Sequence, residues 1–159
     1  CGAKIGNANK KHGGTPLLHW AVGNAEFVRY LLDRGADADG KDYKGMTPLF
    51  TALLRGSPEA LGLLLDNDAD INQVIVTESD TLCWVGWRDE TKHEFVRLHN
   101  VTPLLLAVCG WRKNMVELLL AYGADVNLRT AEGYTALAVA EKLRKKDIAD
   151  LLRRNGGVE

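Results

Sequence analysis

Three cysteines in 159 residues, Cys1, Cys83 and Cys109, are too few and too far apart to make a disulfide framework. They are expected as free thiols in a reducing compartment, which places the chain inside the cell, in cytoplasm or nucleus. No apolar run approaches the roughly 18 residues that a membrane span needs. Neither charge is in excess: 20 Lys and Arg face 21 Asp and Glu, for a formal net charge of −1. Nucleic-acid binders ordinarily carry a basic surplus, so that partner class is disfavoured. Recognisable catalytic constellations are missing too. There is no G-x-S-x-G and no H-E-x-x-H, and "GKDYKG" lacks the G-K-[ST] end of a phosphate loop. The reading is therefore of a non-enzyme without a cofactor. Cys83, His93, His99 and Cys109 are spaced C-x9-H-x5-H-x9-C, whereas structural zinc sites bring their ligands in close pairs. No metal site is expected.

Proline is scarce, with four residues, but three of them fall in one recurring phrase. "TPL" begins at Thr15, Thr47 and Thr102, and a fourth copy reads Thr135-Ala136-Leu137. The steps between the threonines are 32, 55 and 33 residues. A second phrase follows the first three in phase: "LLDRGADAD", "LLLDNDADIN" and "LLLAYGADVN". Thr is a good N-cap, and Pro after it fits the first helical position, where its missing N–H costs nothing. A second helix, such as "NMVELLLAYG", follows a short turn, and its apolar Met115, Val116, Leu118, Leu119 and Leu120 suit packing on two sides. Gly35 and Gly123 stop these helices, because Gly takes the left-handed position without steric cost. A polar stretch ending in Gly then forms a β-turn finger.

A repeat of about 33 residues with T-P-L near its start resembles the ankyrin family. The resemblance covers nearly the whole chain. It implies an all-α repeat solenoid of helix-turn-helix units with β-turn fingers, forming one domain over 1–159. Residues 1–14 read as the partial finger of an earlier repeat, so the chain is expected to be a monomeric piece of a longer array. Repeats then occupy 15–46, 47–101, 102–134 and 135–159, the last a capping repeat whose basic run is a solvated face. The second repeat is expected to be the weakest: Gly62 interrupts its second helix and Asp68 replaces the C-terminal Gly, while Ser57-Pro58 starts that helix well. The family often has His just after T-P-L. Here Leu18, Phe50, Leu105 and Ala138 stand there, so the usual bonds to the finger are expected to be weak or absent. His19, one place late, is its nearest counterpart. Trp20 is expected in the core or groove wall.

One stretch breaks the period. Asn127 precedes Thr135 by eight residues but Asn72 precedes Thr102 by thirty, so the second finger carries about 22 extra residues. "TLCWVGW" and "EFVRLH" flank a charged turn, which predicts a long inserted β-hairpin over about 73–100. Alternation along it sends Trp84 and Trp87 to opposite faces.

Ankyrin-like arrays generally bind protein partners through finger tips and the concave face of the first helices. The resemblance therefore implies a protein–protein interaction module that takes a protein or peptide. The candidate contacts are Tyr43, Lys44 and Met46 on the first finger, Arg129 and Tyr134 on the third, Arg55, Trp111 and Arg112 at helix ends, and Trp84, Trp87, Phe95 and Arg97 on the insertion. Two rivals stand beside this reading. One is an architectural spacer within a larger protein. The other is a sensor in which an aromatic finger beside Arg55 and Arg112 stacks a small anionic ligand or nucleotide.

Overall fold

The computed structural model describes residues 16–75, 98–110 and 112–158, together with the backbone of 85–86 and 95–96. The chain divides into two compact units, Cys1–Ile71 and Asn72–Glu159. In the first, α1 (Leu17–Ala21) packs on α2 (Ala25–Leu32) and α3 (Pro48–Arg55), and α4 (Pro58–Leu65) packs on α2 and α3. In the second, α5 (Pro103–Cys109) packs on α6 (Lys113–Ala121) and α7 (Ala136–Lys142), and α8 (Lys146–Arg154) packs on α6 and α7. Each unit is thus two helical hairpins side by side, with first helices in one layer and second helices in the other.

The architecture is helical. β1 (Val85–Gly86) and β2 (Phe95–Val96) pair antiparallel, Val85 with Val96 and Gly86 with Phe95. An isolated bridge joins Ile75 to Val101. These short pairings do not amount to the long hairpin expected over 73–100. Most of that stretch, Trp84, Trp87 and Arg97 included, lies outside the described residues.

Helix starts follow the sequence with three corrections. Thr102 and Thr135 cap as expected: their hydroxyls accept from Leu105 N and Ala138 N, each at 3.2 Å. Thr47 has the extended cap backbone, but its buried hydroxyl has no partner. Ser57 likewise makes no side-chain cap bond, so α4 starts on Pro58 alone. The third correction concerns α1. Its cap is Pro16, with extended ψ of 147°, and helix begins at Leu17 instead of the proline. This delay makes His19 the third helical residue, the place held by Phe50, Leu105 and Ala138 in the other first helices. It also makes Ala21 the fifth, matching Ala52, Ala107 and Ala140, all four buried. A side chain no larger than a methyl there lets neighbouring helices approach closely.

The register shift restores a bond that the sequence seemed to have lost. His19 Nε2 donates to Gly40 O at 2.8 Å, and Nδ1 accepts from the Thr51 hydroxyl at 2.8 Å. A buried imidazole thus joins α1 to the first finger and to α3, correcting the expectation of an absent link in this repeat. Trp20, the fourth helical residue, is pushed outward by the same shift and is 55% exposed, not core.

The C-terminal turns behave as their residues dictate. Gly35 and Gly123 lie at φ 76° and 83°, and Asp68 is forced to φ 60° where they have glycine. Arg144, between α7 and α8, is also left-handed at φ 54°. A rung of side-chain bonds recurs from repeat to repeat. Asp39 Oδ1 accepts from Asp70 N, Asn72 Oδ1 from Asp125 N, and Asn127 Oδ1 from Val158 N, at 2.9 to 3.0 Å. The sequence separations are 31, 53 and 31 residues, so the 22-residue excess falls between equivalent bonding positions.

Candidate functional site: fingers and first helices

The first finger is a turn built on Asp42. Its backbone N donates to Met46 O at 2.9 Å, and Gly45 N donates to Asp42 O at 3.0 Å with Gly45 at φ 76°. The Asp42 carboxylate then accepts from Lys44 N and Met46 N, at 2.8 and 2.9 Å. Asp at the first turn position and Gly at the fourth are the residues this geometry favours. The turn holds Tyr43 at its tip, 70% exposed, with the Lys44 ammonium 5.5 Å from the ring centroid. Met46 is half-buried, and Lys41 and Arg55 are exposed. Leu54, beside Arg55 at the end of α3, is an exposed aliphatic group that belongs with these candidates.

In the third finger Thr130 takes the place of Asp42. Its N donates to Tyr134 O, Gly133 N donates to its carbonyl, and its hydroxyl accepts from Tyr134 N at 3.2 Å. Arg129 reaches Gly133 O at 2.8 Å. The Lys142 ammonium donates to the Tyr134 hydroxyl at 2.7 Å and also lies 3.9 Å from the ring centroid. The two fingers therefore differ in kind. Tyr134 and Arg129 are held by their own unit, whereas Tyr43 stands out from its finger.

Sequence reasoning missed two polar contacts in the second unit, at Glu132 and at Lys145. Glu132 accepts from His99 N with both oxygens at 3.1 Å and meets His99 Nδ1 at 2.5 Å, while Ala131 N donates to His99 O at 3.1 Å. Partial burial works to raise the Glu132 pKa, but the hydrogen bonds from the His99 side chain and backbone outweigh it and hold the carboxyl below its ordinary value. These bonds pin the end of the insertion to the third finger. Lys145 was expected in a solvated basic face, but it is buried. Its ammonium donates to Val108 O at 2.6 Å and Cys109 O at 3.3 Å, capping the C-terminus of α5. Burial pulls its pKa down to about 8, opposed in part by the charge of Cys109. The rest of the basic run, Lys142, Arg144, Lys146, Arg153 and Arg154, is exposed.

Arg112 is half-buried at the start of α6. Phe95 is placed by backbone alone, in β2. Trp84, Trp87, Arg97 and Trp111 lie outside the described residues, as do Cys83 and His93. No helix among the described residues is long and apolar enough to cross a membrane.

The profile described as "Ankyrin repeats (3 copies)" matches residues 1–75 and 84–159. The chain belongs to the ankyrin-repeat family. The unmatched residues, 76–83, fall inside the insertion. Among curated relatives, SH3 and multiple ankyrin repeat domains protein 2 of Homo sapiens is 32% identical over 150 residues, covering 91% of this chain and 7% of that protein. B-cell lymphoma 3 protein homolog of Mus musculus is 31% identical over 120 residues, 76% of this chain and 22% of that protein. Neurogenic locus notch homolog protein 1 of Xenopus laevis is 30% identical over 156 residues, 97% and 5%. The chain thus spans less than a quarter of each of these three. Ankyrin repeats are generally non-enzymatic protein–protein interaction modules.

Proposed function

We propose that this chain is an intracellular protein-binding module that docks a protein or peptide partner on its fingers and the exposed ends of its first helices. The observation that carries the reading is Tyr43. A large aromatic side chain is presented to solvent on a turn fixed by four hydrogen bonds. Aromatic residues dominate interface hot spots, and a rigid turn loses little entropy when it binds. Lys44, Met46 and Arg55 extend this contact in the first unit, and Arg129, Tyr134 and Arg112 supply the corresponding contacts in the second. The insertion contributes Trp84, Trp87, Phe95 and Arg97 as further candidate contacts, with Trp111 after α5, and its ends are held by the Ile75–Val101 bridge and the His99–Glu132 contact.

A photoreactive phenylalanine analogue in place of Tyr43 tests the proposal, with the same analogue at exposed Glu26 on α2 as control. In the native cell, position 43 is expected to give discrete protein adducts that position 26 does not. Equal labelling at both positions would remove the first finger as a docking site. Trp84→Ala and Trp87→Ala are expected to weaken capture of the same adducted protein while helical circular dichroism stays unchanged. Normal capture by both would confine the contact to the fingers.

A further inference from the structure

The start of the second helix carries different residues in the two units. Its cap position holds Asn24 and Ser57 in the first unit but Arg112 and Lys145 in the second. Its first helical residue is Ala25 or Pro58 in the first unit, Lys113 or Lys146 in the second. Nine residues after Thr47, α3 ends on Gly56 at φ 73°, the residue that suits a left-handed turn. Nine residues after Thr135 the same place is taken by Arg144 at φ 54°. Lys145 is accounted for by its bonds to the end of α5. Stability does not account for Lys113, Arg144 and Lys146. A helix start favours anions over cations, and arginine is strained where glycine is not. The Arg144 turn is nevertheless well held: Arg144 N donates to Glu141 O at 2.8 Å and Lys145 N to Ala140 O at 2.9 Å.

These three side chains line one groove of about 360 Å³, completed by Lys145, Asp147 and Ile148. Four cations thus face one carboxylate, in a chain whose formal net charge is −1. Lys113 lies 3.9 Å from Glu117, and among the described residues Arg144 and Lys146 have no ion-pair partner. Arg153, further along α8, is by contrast held by Glu141 and Asp150. Uncompensated positive charge gathered in a concave surface draws anions to it. We infer that this groove binds the phosphate group of a phosphoserine or phosphothreonine on the protein partner, an assignment that rests on the protein-binding reading above. The planar Arg144 guanidinium suits a two-point contact with phosphate oxygens, and Lys113 and Lys146 add mobile point charges. The groove is open to solvent, so it does not enclose a free phosphorylated metabolite as small-molecule sites do, but it admits a side chain delivered by a bound protein. A long nucleic acid would run from it onto the carboxylates of Glu117, Asp147 and Asp150 in the adjoining cleft. The α7–α8 turn lies at the end of α7 away from Tyr134, so the phosphate contact is separate from the third finger.

Chain 1–159 labelled with nitrogen-15 is titrated with N-acetyl-O-phosphoserine amide at constant ionic strength and neutral pH, and amide shifts are followed by NMR. Saturating shifts are expected at Lys113 and over residues 144–147, and N-acetylserine amide should give none. Arg144→Gly removes the guanidinium and relieves the left-handed backbone. It is expected to weaken binding about tenfold while raising the melting temperature by about 2–4 °C. Affinity and stability moving in opposite directions separates a lost contact from a lost fold. Lys146→Ala should also weaken binding, and Arg29→Ala on α2, which removes a charge elsewhere, should not. Shifts that grow without saturating, or that persist in Arg144→Gly, would overturn the proposal. Tighter binding of glucose 6-phosphate or of a short single-stranded RNA than of the phosphoserine probe would overturn it too, by giving the groove to a metabolite or a nucleic acid. Photo-crosslinking at Tyr43 reads the docking proposal separately. Adducts there without phosphoserine binding overturn the groove alone, and phosphoserine binding without adducts upholds the groove and removes only the first finger.

Discussion

Three threonines at equivalent positions are predicted to respond with opposite signs to one substitution. Thr47, Thr102 and Thr135 all precede a first helix, all have extended cap backbones, and all are buried. The hydroxyl of Thr102 accepts from Leu105 N. That of Thr135 accepts from Ala138 N and donates to Val158 O at 2.7 Å. The hydroxyl of Thr47 does neither. Valine keeps the β-branched shape and replaces the hydroxyl with a methyl. At Thr102 it removes a cap, which costs about 1 kcal/mol. At Thr135 it removes the cap and a second bond, for a cost of about 1.5 kcal/mol, since the exposed Val158 carbonyl can turn to water. At Thr47 it removes a buried polar group that has no partner, a defect of about 1–3 kcal/mol, so Thr47→Val is expected to stabilise by about 1 kcal/mol.

Urea denaturation followed by circular dichroism measures all three, with the midpoint compared at constant slope. If the two compact units unfold in separate transitions, Thr47→Val is read in the first unit's and the other two in the second's. Each kilocalorie corresponds to about 2–4 °C in melting temperature for a chain of this size. A destabilised Thr47→Val would refute the reasoning. It would mean that the Thr47 hydroxyl has a partner in solution, a trapped water being the obvious one.

Other predictions follow from the same accounting. Gly62 is inside α4 with open space where a Cβ would project, so Gly62→Ala should stabilise by about 1 kcal/mol, and Asp68→Gly should add about 0.5–1 kcal/mol by relieving a left-handed aspartate. Before these changes, amides of α4 should exchange with deuterium faster than those of α6; equal rates would count against a weak second repeat. His19→Leu leaves Gly40 O and Thr51 without their buried partner and should cost about 2 kcal/mol in a thermal melt, and a neutral result would show that the bond carries no net stability. Lys145 sets a pH dependence of definite sign. The unfolded chain holds that proton to about 10.5 and the folded one only to about 8, so between these values the unfolded state binds more protons and stability rises with pH. The contribution is complete above about 10.5 and lost as pH falls through about 8. Urea midpoints of Lys145→Met should lack this rise, and an unchanged profile would place its origin elsewhere.

The features legible in the sequence were those set by a residue and its immediate neighbours. T-P-L announces a helix start because cap and proline act within one turn, and Asp68 is legible as a forced left-handed residue because a helix end imposes that conformation locally. What escaped were polar pairs formed one repeat apart. The Lys145 ammonium finds Val108 O from 37 residues away, Glu132 finds His99 from 33, and His19 finds Thr51 from 32. Composition made Lys145 one more charge in a basic run, and only the end of α5 beside it makes it a buried cap. Trp20 was misplaced for a related reason: the start of α1 at Leu17 rather than Pro16 is a one-residue choice that T-P-L does not encode, and it rotates every later side chain of a five-residue helix. Yet these misses share an offset. In a stacked repeat each element touches its equivalent, so many bonds between repeats fall near one period in sequence, 31 to 37 residues where the insertion does not intervene. Complementary polar residues at that offset are therefore candidates for partners in any such chain. The same comparison, made position by position down the repeats, separates exposed Phe27 from its buried equivalents Ala60, Met115 and Ile148.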